Sequence, residues 1–379
     1  MLVVESKTSI LGIDEDTLDA AGAGLTAREI AQQGVVWPQI AALLANHRID
    51  VDAFLGPLLA RPDLRIVLTG AGTSAFIGEC LLPALLRQGL RAEAVPTLLV
   101  SFGRSGSSPE SVAAVALADQ LVANVHHLVI TCNADVELYR MAQGRANALA
   151  ILLPEATHDR GFAMTTSFTS MLLSAALAFD AVAGDAVAAP SAAALQLLQS
   201  ALPLLNELVA ERFDRVVYLG SNELRGLARE AALKLLELTD GQVVALFDSP
   251  LGFRHGPKTI VNDRTLVVVM LSNDAQARRY DLDLLRELRN DGRAGRVLAL
   301  SGIAEASLGD DCVRLGGMDD AGELALALPY IVFCQAYALL QSLELGLRPD
   351  TPSVSGTVNR VVRGVTIYPC EGKTDVSGR

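Results

Sequence analysis

The chain has 379 residues, 51% of them hydrophobic, and a formal net charge of −12 with no basic run anywhere. That length suffices for two domains with cores of their own. The acidic balance argues against nucleic acid as a partner, and it requires any bound phosphate to be held by a local arrangement of donors, since the overall field repels it.

An Ala- and Leu-rich composition with few aromatics suits helices layered on a parallel sheet. The five cysteines, Cys80, Cys132, Cys312, Cys334 and Cys370, are scattered without metal-type spacing. They read as reduced thiols of a cytoplasmic protein. Residues 1–20 contain Glu5, Asp14, Glu15, Asp16 and Asp19 and no basic-then-apolar signal pattern. The most apolar helix candidate, 171–183, is too short to span a bilayer and carries Asp180. The expectation is a soluble, cytoplasmic protein with no membrane partner.

Residues 25–60 read as a helical lead-in, including 26–33 and 37–44. One plan is then stated twice. RIVLTGAGTSAFIGECLLPALL (65–86) is strand, Gly/Ser/Thr turn, helix, and RVVYLGSNELRGLAREAALKLLEL (215–238) repeats that order. TLLVSFGRSG (97–106) is matched by TLVVVMLSND (265–274), and HLVITCN (127–133) by RVLALSG (296–302). A short apolar strand follows in each half, at 151–155 and 313–317, and each half closes on a long apolar helix, 167–183 and 322–345. Residues 191–208 read as one Ala/Leu helix bridging the halves. Such alternation implies parallel sheets covered on both faces. The expected architecture is α/β: two tandem, doubly wound (flavodoxin-like) domains in three layers. The expected boundaries are 1–50 for the lead-in, 51–205 for the first domain and 206–379 for the second.

In such sheets ligands sit beyond the carboxyl ends of the strands, where the turns at 70–74, 101–108 and 220–222 fall. The turn after the strand at 98–100 holds Ser101, Gly103, Arg104, Ser105, Gly106, Ser107 and Ser108. Ser108 fits an N-cap and Pro109 the first helical position of a helix over 110–121. Hydroxyls and free N–H groups at the positive end of a helix make an anion site, with phosphate the usual occupant. An ordinary capped connection is the plainer alternative, but four serines, two glycines and an Arg exceed what a cap requires. Neither the P-loop nor the dinucleotide pattern is present, which favours a phosphorylated small molecule over a nucleotide.

Within 223–238, a mostly Leu/Ala helix, Glu230, Lys234 and Glu237 stand at i, i+4 and i+7. They share an arc of about 60°. A surface stripe of ion pairs would have the same spacing. Because this stripe continues from a strand-end turn, it can face the ligand crevice, where a carboxylate beside a lysine acts as a base on carbon. His255 sits on a glycine-flanked loop, in GFRHGP. Asn359, Arg360 and Arg363 lie in an otherwise apolar tail, which is either a docking segment or a lining of the site.

Together, SFGRSGSSPESVAAV, TCNAD, GFAMTTSFT, YLGSNELRGLAREAALKLLELTDG, SPLGFRHGP and SVSGTVNRVV resemble the sugar isomerase (SIS) family. The resemblance runs from Thr26 to Pro369. It is similar to the isomerase half of glucosamine-6-phosphate synthase and, more nearly, to the galactosamine-6-phosphate deaminase/isomerase (tagatose-6-phosphate ketose/aldose isomerase) group. It implies Thr73 and Ser74 at the sugar phosphate, with Arg104, Ser105, Ser107 and Ser108 around the phosphate. Thr165 joins this binding set. Glu230 and Lys234 match site positions, Glu237 the proton-transfer base and His255 the ring-opening histidine. In that family the histidine comes from the partner subunit, so a homo-oligomer of at least two chains with a shared site is implied.

There are departures. The synthase pattern has Ser-Gln-Ser-Gly-Glu-Thr where this chain has Gly103-Arg104-Ser105-Gly106-Ser107-Ser108, and a C-terminal Lys where it has Arg363. Arg does not readily give up its proton, so Arg363 is expected to act only through its charge. The glutaminase part is missing, which makes release of ammonia the natural direction. The implied activity is conversion of galactosamine 6-phosphate to tagatose 6-phosphate and ammonia through an enolamine, with no cofactor and no metal. Alternatives are another isomerase or deglycase of the family, or a non-catalytic sugar-phosphate sensor.

Overall fold

The structure is a computed structural model that describes residues 9–87, 96–353, 355–356, 358–360 and 364–368. A short hairpin, β1 (Ser9–Ile10) and β2 (Ile13–Asp14), leads into α1 (Glu15–Ala20), α2 (Gly24–Ala31), α3 (Gln33–Asn46) and α4 (Arg48–Leu59). The first sheet follows: β3 (Arg65–Thr69), α5 (Thr73–Arg87), β4 (Thr97–Gly103), α6 (Pro109–Leu121), β5 (Val125–Thr131), α7 (Glu137–Ala142), β6 (Ala148–Leu152) and then α8 (Thr166–Ala178). Helices α9 (Ala188–Ser200) and α10 (Leu202–Ala210) cross to the second half. There β7 (Arg215–Gly220), α11 (Glu223–Leu238), β8 (Val244–Asp248), α12 (Pro250–Phe253), β9 (Thr265–Met270), α13 (Ala275–Asp291), β10 (Arg296–Ser301), β11 (Cys312–Arg314) and α14 (Glu323–Glu344) complete the fold.

The first sheet runs β3-β4-β5-β6 and the second β11-β10-β9-β7-β8, every pairing parallel. Successive strand residues point to opposite faces, so one strand feeds two cores. In β4, Leu98, Val100 and Phe102 enter the main core, whereas Leu99 packs with Val115 of α6 and Leu138 of α7. In β9, Leu266, Val268 and Met270 join that main core, and Val267 and Val269 meet Leu284, Leu285 and Leu288 of α13. Each buried Leu or Val of this kind contributes roughly 2 kcal/mol relative to exposure. Helices therefore cover both faces of each sheet, as the alternating pattern requires.

Three readings need correction. The single helix over 191–208 is two, bent by 55° at a break around Ala201, because Pro203 lacks the N–H that would continue the ladder. The helix over 167–183 ends at Ala178, where Asp180 takes a positive φ of 54°. The helix most able to pass for a membrane span is α14, not 171–183. It has 22 residues and a mean hydropathy of 1.6, and the apolar window is wholly buried inside the fold. Unread in the sequence, β8 adds a fifth strand beside β7.

Two features set the chemistry. Helix α11 of the second half packs on α5 of the first, and Gly226 makes the approach possible: a Cβ there would stand 2.7 Å from the Cys80 backbone nitrogen. In the second half the turns after β7 and β9 are tied together internally. Asp281 of α13 accepts from Ser221 Oγ at 2.6 Å and from the Ser272 N–H at 2.9 Å, and it is fully buried.

Candidate active site

The corresponding turns of the first half are open. A cleft of about 160 Å³ lies at the carboxyl ends of β3 and β4. Gly72, Thr73 and Ser74 line it from the turn into α5, and Gly103, Arg104, Ser105, Gly106 and Ser108 from the loop after β4. Phe162 and Met164 form another wall, Glu237 reaches in from α11, and Asn359 and Arg360 close it from the tail.

The serine loop is shaped by its own residues. β4 continues to Gly103, which leaves Ser101 buried in the strand rather than on the turn. Gly106 takes a φ of +58°, and a Cβ there would strike the Val136 side chain at 2.4 Å, so only glycine fits. Thr131 Oγ1 donates to the Gly103 carbonyl at 2.7 Å, fixing the loop from β5. Ser108 is the N-cap residue, but its hydroxyl makes no capping bond and lines the cleft beside Pro109 at the helix start. Ser105 and Ser108 are half-buried, and Ser107 is exposed and outside the lining.

Arg104 is 6% exposed. Its Nη1 donates to the Phe162 carbonyl at 3.2 Å and its Nη2 to the Arg360 carbonyl at 2.8 Å. Its Nε has no hydrogen-bond partner. Burial, with Arg360 close by, lowers its pKa from the ordinary arginine value.

The α11 stripe faces inward as the spacing suggests. Glu230 and Lys234 have fully buried side chains, and that of Glu237 is 23% exposed, at the cleft. Lys234 Nζ stands 3.5 Å from Glu230 Oε1, donates to Thr73 Oγ1 at 3.1 Å and bonds Glu237 Oε2. Burial works against the Lys234 charge, but the Glu230 and Glu237 carboxylates outweigh it and hold its pKa above the ordinary value. Burial pushes Glu230 from 4.5 up to about 8, with Lys234 opposing the rise. One cation thus bridges the second half's helix and the first half's Thr73, directly beneath the ligand space.

The Glu230 shift has a readable consequence. A raised carboxyl keeps in the folded chain a proton that the unfolded chain releases, so its contribution to stability is lost as pH rises from 4.5 through about 8. The thermal midpoint of Glu230→Gln, followed across that window, is expected to fall less steeply than that of the parent. Parallel curves would remove Glu230 from this account.

The remaining candidates lie elsewhere. His255 is exposed on the loop after α12 and is not part of the lining. Thr165 is buried outside the lining, its N–H donating to Asp159 Oδ2 at 2.8 Å. Arg363 lies outside the described residues. Three residues near the site escaped the sequence reading. Phe162 lines the cleft, while Asp159 accepts from the N–H groups of Thr165, Thr166 and Ser167 at the start of α8. Glu29 accepts from the N–H of Gly161 at 2.9 Å and from that of Arg160. Burial, with Asp159 adding to it, raises its pKa to about 7. Asp159 stands six residues before Thr165, outside the usual capping spacing, so the sequence carried no cue for it.

No family model matches the chain. Among curated proteins, D-galactosamine-6-phosphate deaminase AgaS of Escherichia coli is 45% identical over 379 residues, covering 92% of this chain and 97% of the relative. D-galactosamine-6-phosphate deaminase AgaS of Shewanella sp. is 42% identical over 394 residues, covering 96% and 97%. The crystal structure of tagatose-6-phosphate ketose/aldose isomerase from Escherichia coli matches with a TM-score of 0.84 at 40% identity, over 92% of this chain and 97% of that one. With the doubled parallel-sheet plan and the helix-borne Glu–Lys–Glu stripe at the serine loop, this likeness assigns the chain to the sugar isomerase (SIS) family, in the group of the D-galactosamine-6-phosphate deaminases AgaS.

Proposed function

We propose that the protein converts galactosamine 6-phosphate to tagatose 6-phosphate and ammonia. The observation that carries the reading is the position of Glu237, which faces the same cleft as Ser105 and Ser108. Hydroxyls and N–H groups of the serine loop and of Thr73 and Ser74 hold the phosphate. Arg104, and Arg363 in the tail, add positive charge. We assign ring opening to His255 of the partner subunit, which supposes a homodimer at least, in the cytoplasm. Its exposure on a loop away from its own chain's lining supports donation across an interface.

With the sugar open, Glu237 takes the proton from C2. The C2–H electrons form the C1–C2 double bond of an enolamine, and the carbonyl oxygen at C1 takes up the negative charge. Return of the proton to C1, with the nitrogen lone pair closing onto C2 and a proton passing from that nitrogen to the C1 oxygen, leaves an imine at C2 beside a C1 hydroxyl. Water adds there, the C–N bond breaks and ammonia leaves, giving the ketose. Lys234, held against Glu237, stabilises the developing negative charge. The substrate's own carbonyl serves as the electron sink, so the scheme uses no cofactor. The domain limits 51–205 and 206–379 remain part of this proposal.

The test is ammonia release from a panel of amino-sugar 6-phosphates, with galactosamine 6-phosphate giving the highest kcat/KM and one ketose per ammonia. Interconversion of aldose and ketose phosphates without ammonia release would sink the deaminase reading. For the anchor, Ser105→Ala with Ser108→Ala is expected to raise KM by roughly tenfold or more through lost charge-assisted hydrogen bonds, with kcat changed far less. A kcat defect at unchanged KM would speak against the phosphate loop.

A further inference from the structure

The tail that follows α14 belongs to the second half in sequence but seats on the lead-in and on the first half. It is fastened twice. Asp350 accepts from the N–H groups of Leu25 at 3.1 Å and Thr26 at 2.7 Å and from Thr26 Oγ1 at 2.8 Å, so it caps the start of α2. Ten residues on, Arg360 Nε donates to the Gly161 carbonyl at 3.1 Å and Nη2 bonds the Asp159 carbonyl. The 159–161 segment that Arg360 grips on its carbonyl side is gripped on its N–H side by Glu29, also on α2. That segment leads directly to Phe162 and Met164 in the cleft wall.

Arg104 closes the circuit. Its two terminal nitrogens donate to the carbonyls of Phe162 and Arg360. One acceptor therefore stands on the residue that directly follows the segment Arg360 clamps, and the other is Arg360's own backbone. The guanidinium is fixed in plane by these two bonds, and its third donor, Nε, is left without a partner in a residue only 6% exposed that lines the cleft. The bonds of both arginines go to backbone carbonyls rather than carboxylates, so Arg360 is spent on the backbone clamp while the charge of Arg104 stays available to an anion.

We propose that Arg360 is the positioning residue of the phosphate anchor: by clamping the 159–161 carbonyls and offering its own carbonyl to Arg104, it aims Arg104 at the phosphate. This rests on the phosphate reading of the cleft given above and adds a residue to it. A planar fork is what the geometry calls for, because one flat cation must meet two carbonyls of a turn at once. A lysine has the charge without the fork.

The experiment measures the affinity of the full-length protein for inorganic phosphate, by calorimetry and by competition against the sugar phosphate, alongside KM and kcat. Arg360→Ala is expected to weaken phosphate binding and raise KM by roughly tenfold, with kcat changed far less, because its side-chain hydrogen bonds go to the 159–161 carbonyls and not to Glu237 or Lys234. Arg104→Ala is expected to do the same, and the double variant to be no worse than Arg104→Ala alone, since a positioning residue acts only through its target. Arg360→Lys is expected to leave the defect in place. Unchanged phosphate affinity in Arg360→Ala, independent losses that multiply in the double variant, or full restoration by Arg360→Lys would each overturn the assignment. Phosphate binding is read without turnover, so failure of the deaminase reaction itself would show separately, in the amino-sugar panel.

Discussion

Glu237→Gln is expected to lower kcat by roughly a thousandfold, the scale of a removed general base, while sugar-phosphate binding survives. The substitution keeps the side chain's size and an oxygen for Lys234 Nζ to bond, so the hydrogen-bonded geometry beneath Thr73 is kept although one of the two carboxylates facing Lys234 is lost. What is lost is an acceptor for the C2 proton. Two measurements separate this from a general weakening of the site. Exchange of the C2 hydrogen in deuterium oxide is expected to stop together with ammonia release, and the thermal shift produced by the sugar phosphate is expected to persist. Normal exchange in the variant would assign the proton transfer to another group.

Mixing two dead enzymes is expected to recover activity. His255→Ala chains lack the ring-opening group, and Glu237→Gln chains lack the base. If His255 serves the neighbouring chain, a mixed dimer holds one site with both defects and one with neither. Random reassortment makes half of the dimers mixed, so recovery approaches about a quarter of parental activity. The exposure of His255 on a loop outside its own chain's cleft motivates the test. Recovery absent after verified subunit exchange would place His255 outside the chemistry or within its own chain's site.

How much of this was legible follows from burial. β4 and β9 are buried at every position, and their apolar runs Leu98–Val100 and Leu266–Met270 mark them as strands. β8 carries only the short apolar run Val244–Phe247 and is half-exposed along its length at a sheet edge, so nothing in its pattern marks it as a further strand beside β7. The Glu230–Lys234–Glu237 stripe was legible because helical spacing is local and three charged side chains stand out on an apolar helix. The serine loop was legible for its composition, but composition alone did not show which hydroxyls line the cleft. Ser107, one residue past the Gly106 turn, is exposed, and the Thr165 N–H is taken by Asp159. Glu29 was not legible at all, since the backbone it holds lies 131 and 132 residues away. Arg360 stood out as a charge in an apolar tail, yet its partners on 159–161 are as remote in sequence.

The buried carboxylate of Asp281 gives the duplicated plan a lasting asymmetry. Where the first half's strand-end turns part around the cleft, the second half's are stitched to each other through one carboxylate of α13. Mass action stabilises a fold only through a guest that can depart. The Asp281 tie is intramolecular and contributes alike at every solute concentration, so the turns after β7 and β9 keep their spacing whether or not the cleft beside Ser105 is filled.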